Sequence, residues 1–189
     1  GYDDGWTTAY YNQVSGWLNS VNLAVELAQK KAANGTAQPH NNNLIQVARI
    51  WRAYLMSEAS DNFGPLPIDG FQAVNPAFAS VKDVYYYALK ELTEAVAALD
   101  VNVVNPSTLK DYDPAFGYDY NKWKRYGNSL RLRLAMRLSE VDPAKAKSEF
   151  EAAAATNLLI TETDHTFKVQ EKDGWSDLSG VMSREWNSQ

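Results

Sequence analysis

Three groups of side chains in this sequence have the types and spacing to do chemistry. The first is a set of acids. Glu58 and Asp61 stand three apart near a helix end, and Asp69 follows. Two carboxylates across a cleft are the machinery of glycoside hydrolysis. No Ser/His/Asp or phosphate-loop pattern accompanies them. Nothing in the sequence sets their separation, so the expectation is a solvated helix face and no catalysis. The second group is "DYDPAFGYDYN", Asp111 to Asn121. An EF-hand loop needs Gly at its sixth position and Glu at its twelfth. Here Gly117 is seventh and Lys122 twelfth, so the segment reads as a solvated loop with turn-forming Asp. The third group pairs aromatics with carboxylates. Trp6 in "DDGWTT" and Trp175 in "KDGWSD" lie beside Asp and Gly. In such a loop context a ring can stack on a sugar while the acids bond its hydroxyls. Trp6, with Asp3, Asp4 and Tyr10, is expected to border a ligand site, and Trp175 is a further candidate. A ring covering the edge of the core is the alternative for Trp6. It is the preferred reading of Trp175 and Trp186, since large aromatics are highly buried on average.

Composition narrows the classes. The chain has 189 residues, 45% of them hydrophobic, enough to bury a core. A net charge of −5 argues against a nucleic-acid binder, which needs a basic face. With no cysteine, disulfides, thiolate zinc sites and thiol catalysis are excluded. The two histidines, His40 and His165, are far apart, so neither a metal site nor a cofactor is expected. No apolar run is long enough to span a bilayer. The chain opens without methionine or a visible signal peptide, and it reads as a piece of something longer.

The elements that must position these groups read as helices. "KWKRYGNSLRLRLAMRL" looks at first like an alternating strand, but the run from Asn121 to Ser139 is too long for one. At helical spacing Trp123, Gly127, Leu130, Leu134 and Leu138 form one stripe. Leu132 and Met136 then lie opposite, and Arg131 and Arg133 lay their stems along the flanks. Asp142 and Pro143 supply the N-cap and first residue of a helix running to about Thr156, with Ala146, Phe150, Ala153 and Ala154 available to pack.

Upstream, Tyr10, Val14, Trp17, Leu18, Val21, Ala24, Val25 and Ala28 predict a helix over 7–33, closed by Gly35. Trp17, Trp51 and Trp123 are expected in the core. One of Asn41, Asn42 and Asn43 should cap a helix over 44–59, and Ser80 one over 81–99. Gly64, Pro65 and Pro67 in "DNFGPLP" stop the second helix. Two long connections, 61–79 and 101–120, interrupt the helices. After Asn157 the helical period fades, and irregular or β structure is expected. The class is mostly α: a tetratricopeptide-like stack of antiparallel helices with long loops.

Two passages resemble a known family when taken together. "ARIWRAYLMSEASDNFGPLPI" (48–68) ends in D-x-[YF]-G-x-[LI]-P, and "YDYNKWKRYGNSLRLRLAMRLSEVDPAKA" (118–146) carries the long Leu/Arg helix. In this order, separated by "FASVKDVYYYALKELTEAVAAL", they resemble the SusD/RagB family of Bacteroidota outer-membrane lipoproteins. The tail "GWSDLSGVMSREWN" fits the same branch. The resemblance implies a cell-surface, lipid-anchored protein that sits on a TonB-dependent, SusC-like transporter. It implies capture of oligosaccharides, or of peptides, without catalysis. It also implies one helical domain over 1–189 that lacks the family's anchoring cysteine and C-terminal half. The alternative is a module that docks on the transporter and has no ligand site of its own.

Overall fold

The structure, a computed structural model, describes residues 4–68 and 76–169, with Trp6 by its backbone alone. Five α-helices follow one another: α1 (Asp4–Ala33), α2 (Asn41–Phe63), α3 (Val81–Ala98), α4 (Tyr120–Arg137) and α5 (Pro143–Ala154). Short 3₁₀ turns lie at Leu109–Tyr112 and Thr163–His165. Each helix packs on the next in the chain. Tyr10, near the start of α1, meets Phe63 at the end of α2. The start of α2 reaches the end of α3 through Asn42, and the end of α4 reaches the start of α3 through Arg137 and Tyr85. Arg131 of α4 meets Glu149 of α5. Neighbours therefore run antiparallel, and the molecule is the expected tetratricopeptide-like stack. The stretch after Asn157 is irregular; among the described residues it holds one 3₁₀ turn and no strand.

Local chemistry sets the helix ends. The Ser80 hydroxyl accepts from the Asp83 amide, and Asp142 accepts from the Lys145 amide ahead of Pro143. Asp119 caps α4 by accepting from the amides of Asn121 and Lys122. Gly35 and Gly64 take φ of +67° and +80° where α1 and α2 stop. The three asparagines do something other than the expected capping. The helix begins at Asn41, one turn early, and its flanking residue His40 makes no side-chain cap. Asn41 donates to the Ala28 carbonyl of α1 at 2.8 Å, and Asn42 to the Ala98 carbonyl of α3 at 3.2 Å. Asn43 both donates to the Asp100 carbonyl (2.7 Å) and accepts from the Asp100 amide (2.9 Å). Asn42 thus meets an orphan carbonyl at the end of α3, while Asn41 and Asn43 tie α2 to the backbone of Ala28 within α1 and of Asp100 just past α3.

Two apolar cores hold the stack. One lies between α1 and α2, around Val14, Leu18, Leu55 and Met56; the other joins α2, α3 and α4 around Ile50, Leu89, Leu92 and Leu134. The α4 stripe of Trp123, Gly127, Leu130, Leu134 and Leu138 is buried as its spacing predicts. Trp17 is a correction: it is 45% exposed. α1 packs through Val14, Leu18 and Val25, and a four-residue rise from Val14 to Leu18 leaves Trp17 rotated off that line. Tyr10 and Ala24 are also exposed, and Phe150 is exposed on α5. Arg131 is the second correction. It is buried, and its guanidinium bonds Glu149 rather than lying along a flank.

Charge crosses the other interfaces too. Glu91 of α3 is buried between Arg49 (2.8 Å) and Arg52 (2.5 Å) of α2, and Arg52 also donates to Asn22 of α1. Burial alone would raise the Glu91 carboxyl. The hydrogen bonds and charges of the two arginines together outweigh it and hold that carboxyl below its usual range.

Two substitutions test this packing. A Cβ at Gly127 would stand 2.5 Å from Val96 Cγ2 and 3.3 Å from Ile50 Cδ1, both core atoms. Gly127→Ala should therefore destabilise the fold by about 1–3 kcal/mol in urea unfolding, despite the better helix propensity of alanine. Glu91→Gln should lose about 3 kcal/mol at neutral pH by removing the counter-charge of Arg52 and leaving Arg49 with Glu94 alone. Because the folded-state carboxyl is depressed, its contribution is present above pH 4.5 and fades as pH falls below that. Thermal melts of the variant should accordingly show a shallower acid limb than those of the unchanged protein.

Candidate functional site

One end of the stack gathers the start of α1, the end of α2, the start of α3 and the end of α4. Trp6 lies within α1, not in a loop, because the helix already begins at Asp4. Asp4 is exposed in the first turn. Tyr10 is 40% exposed, and its ring lies 5.6 Å from that of Phe63. Asp3, Trp175 and Trp186 lie outside the described residues.

The acids of α2 meet the arginines of α4 at this end. Glu58 accepts from Arg133 at 2.8 Å. Asp61 accepts from Arg137 through one carboxylate oxygen and from the Tyr85 hydroxyl through the other, the latter at 2.5 Å. Glu58 and Asp61 are thus interhelical partners and not an acid pair facing one cleft. The pairs join residues 75 and 76 positions apart, so only the packing of α4 against α2 reveals them. Tyr86 donates to Asp142, the N-cap of α5. That bond lowers the Asp142 carboxyl below its ordinary range and raises the Tyr86 phenol, so the first is an anion and the second a neutral donor at neutral pH. Between these groups lies a cleft of about 520 Å³.

A second concavity of about 620 Å³ runs between α1, α2 and the loop before α4. Trp51 forms its floor, stacked with Tyr54 (5.0 Å) and Phe167 (5.6 Å, planes within 10°). Tyr112 stands at the rim, 77% exposed. Trp51 is thus half-buried, at the margin of the core rather than within it.

Asp113 builds the loop wall of this groove, and it corrects the expectation of a solvated loop. It is buried. One carboxylate oxygen accepts from the amides of Ala115 (3.0 Å) and Phe116 (3.2 Å); the other accepts from the Tyr118 amide (2.8 Å) and from Trp123 Nε1 (2.7 Å). The loop folds around the anion, with Gly117 and Tyr118 both at positive φ. Phe167 had no local signal, since its contact with Trp51 is distant in sequence; the partners of Asp113 lie two to ten residues on, but the spacing of the loop alone does not show that its carboxylate turns inward. Among the described residues no cluster of His or acids could hold a metal ion, and no helix is long and apolar enough to cross a membrane.

Stacked antiparallel helices with an aromatic groove on one side and a polar cleft at one end define a tetratricopeptide-like helical scaffold. A family model described as SusD-like, "Susd and RagB outer membrane lipoprotein", matches residues 1–189, and the chain belongs to that family. Among solved structures, a SusD homologue from Parabacteroides distasonis is 31% identical with a TM-score of 0.80, over 93% of this chain and 34% of that one. A SusD homologue from Bacteroides uniformis gives 25% and 0.75, over 87% and 33%. A chitin-binding SusD homologue from Flavobacterium johnsoniae gives 27% and 0.70, over 87% and 36%. The chain spans about a third of the length of these structures. No protein of curated function matches it.

Asp113→Ala would strand a buried indole N–H and three amides, and should lower unfolding stability by about 2–3 kcal/mol. Asp113→Asn should fall between the two, because its one acceptor oxygen cannot serve both pairs of donors. Urea unfolding followed by tryptophan fluorescence reads both.

Proposed function

We propose that this chain belongs to a non-catalytic, cell-surface binding protein that captures oligosaccharides for import by a TonB-dependent, SusC-like transporter. The observation that carries this reading is family membership together with the shared fold of the chitin-binding homologue. The family is one of outer-membrane lipoproteins, so a lipid anchor at the outer face of that membrane is part of the proposal. The chain is one helical domain of that longer protein. The engagement of Glu58 and Asp61 by arginines supports binding over hydrolysis. The aromatic and acidic residues at the start of the chain, Asp3, Asp4, Trp6 and Tyr10, are the proposed border of the ligand site, with Trp175 a further contact. Peptides are the second ligand class.

One observation favours a second reading, a docking module. Along α1, Trp17, Leu23 and Leu27 are 45–50% exposed, Leu27 at the edge of the groove toward α2. Such a surface suits a protein partner, and the transporter is the partner the family implies.

Isothermal titration of plant, host and microbial oligosaccharides and of mixed peptides separates the readings. Saturable heat from one glycan class is expected. Trp6→Ala should weaken it about fivefold, the loss of roughly 1 kcal/mol of stacking. Silence toward every glycan, with Trp17→Asp abolishing capture by the transporter, would instead support the docking module.

A further inference from the structure

The cleft between the end of α2, the start of α3 and the α4–α5 turn is a built polar site that the family match does not assign. Its charged lining is Asp61, Asp142, Lys82 and Arg137, two anions and two cations, so it carries no net charge to offer an ion. Its polar groups are held in place before any ligand arrives. Tyr85 and Arg137 grip Asp61, and Tyr86 and the Lys145 amide grip Asp142. Such preorganisation removes much of the ordering cost of binding.

The groups are satisfied without being saturated. Among the described residues the Arg137 contacts run through Nη1, to Asp61 and Tyr85. Its Nε and Nη2 remain as donors, and each carboxylate oxygen keeps a second lone pair. The Arg137 side chain is 45% exposed and that of Asp61 25%, so both are reachable. Apolar walls flank them. Val81 is 42% exposed and Val141 79%, with Leu138 behind. A volume of about 520 Å³ falls in the range of small-ligand pockets.

We infer that this cleft binds one or two pyranose units of a neutral oligosaccharide, with Asp61, Asp142 and Arg137 bonding the hydroxyls and Val81 and Val141 meeting the ring faces. Each sugar hydroxyl both donates and accepts, so it is matched by fixed acceptors beside a fixed donor. A charged ligand would be opposed by half of the lining. The cleft lies at the same end of the stack as Tyr10 and Phe63, so a longer glycan could run from one to the other. This assignment rests on the oligosaccharide reading above and adds the place and the charge class.

The test is an amide-resolved NMR titration of the chain with maltotriose, xylotriose and chitotriose. At least one sugar should shift the amides of Asp61, Lys82, Val141 and Asp142. Val141→Trp, at an exposed turn, should fill the cleft and weaken binding at least tenfold with its melting temperature unchanged. Arg137→Lys, which keeps the charge and loses the fork, should weaken binding too. Shifts confined to other regions, or undiminished binding by Val141→Trp, would overturn the cleft assignment and leave the oligosaccharide reading standing. If no sugar moves any resonance, the cleft assignment falls, and the wider titration panel above decides the oligosaccharide reading.

Discussion

The structure depends on how closely α4 approaches α2 and α3. At Gly127 there is no room for a methyl group: the backbone of α4 lies against Val96 of α3 and Ile50 of α2. A larger residue would push α4 outward. Its leucines would then leave the core that Ile50, Leu89 and Leu92 complete. The same displacement would open the ion pairs from Arg133 and Arg137 to the end of α2, because a guanidinium–carboxylate bond has little tolerance in distance. One small residue thus positions both the apolar seam and the polar end.

Around that seam, charge decides orientation where apolar contact alone would allow sliding. Glu91 is shared by two α2 arginines, Glu149 by Arg131 and Lys145, and Asp61 by Arg137 and Tyr85. Each acid is met from a different helix, except for the local Lys145 contact. Burying such groups gains little stability over an apolar pair, but a mismatched register would leave buried charge uncompensated. The three asparagines at the other end act similarly, tying the start of α2 to the backbone of Ala28, Ala98 and Asp100.

Helix existence and order were legible because each helix carries a 3.6-residue stripe and recognisable ends. Ser80, Asp142 and Gly64 punctuate the chain by local chemistry. What was not legible depended on partners far away in sequence. Trp17 looks like a core residue until α2 shows which line of α1 it covers. Arg131 looks like a flank residue until α5 presents Glu149. Asp113 looks like a turn residue until Trp123, ten positions on, turns its indole N–H toward it. Family membership was readable from long scaffold motifs, 48–68 and 118–146, whose leucines, arginines and helix ends carry the packing. They build the stack and leave the ligand unspecified.

That division explains why a scaffold so recognisable says little about its cargo. The Leu/Arg helix uses leucines for the core and arginines to hold acids on its neighbours, and these roles depend on the stack alone. Ligand choice must then fall to positions the stack leaves open: exposed turns such as Val141, rim aromatics such as Tyr112 and Tyr10, and the spare valences of groups already fixed. Such positions can change without moving a helix, because their side chains end in solvent. A framework whose polar groups are tied to one another before binding can accept new rims and keep its geometry. The same rigidity would suit the proposed binding role, since a preorganised site holds its ligand through the contacts it already presents.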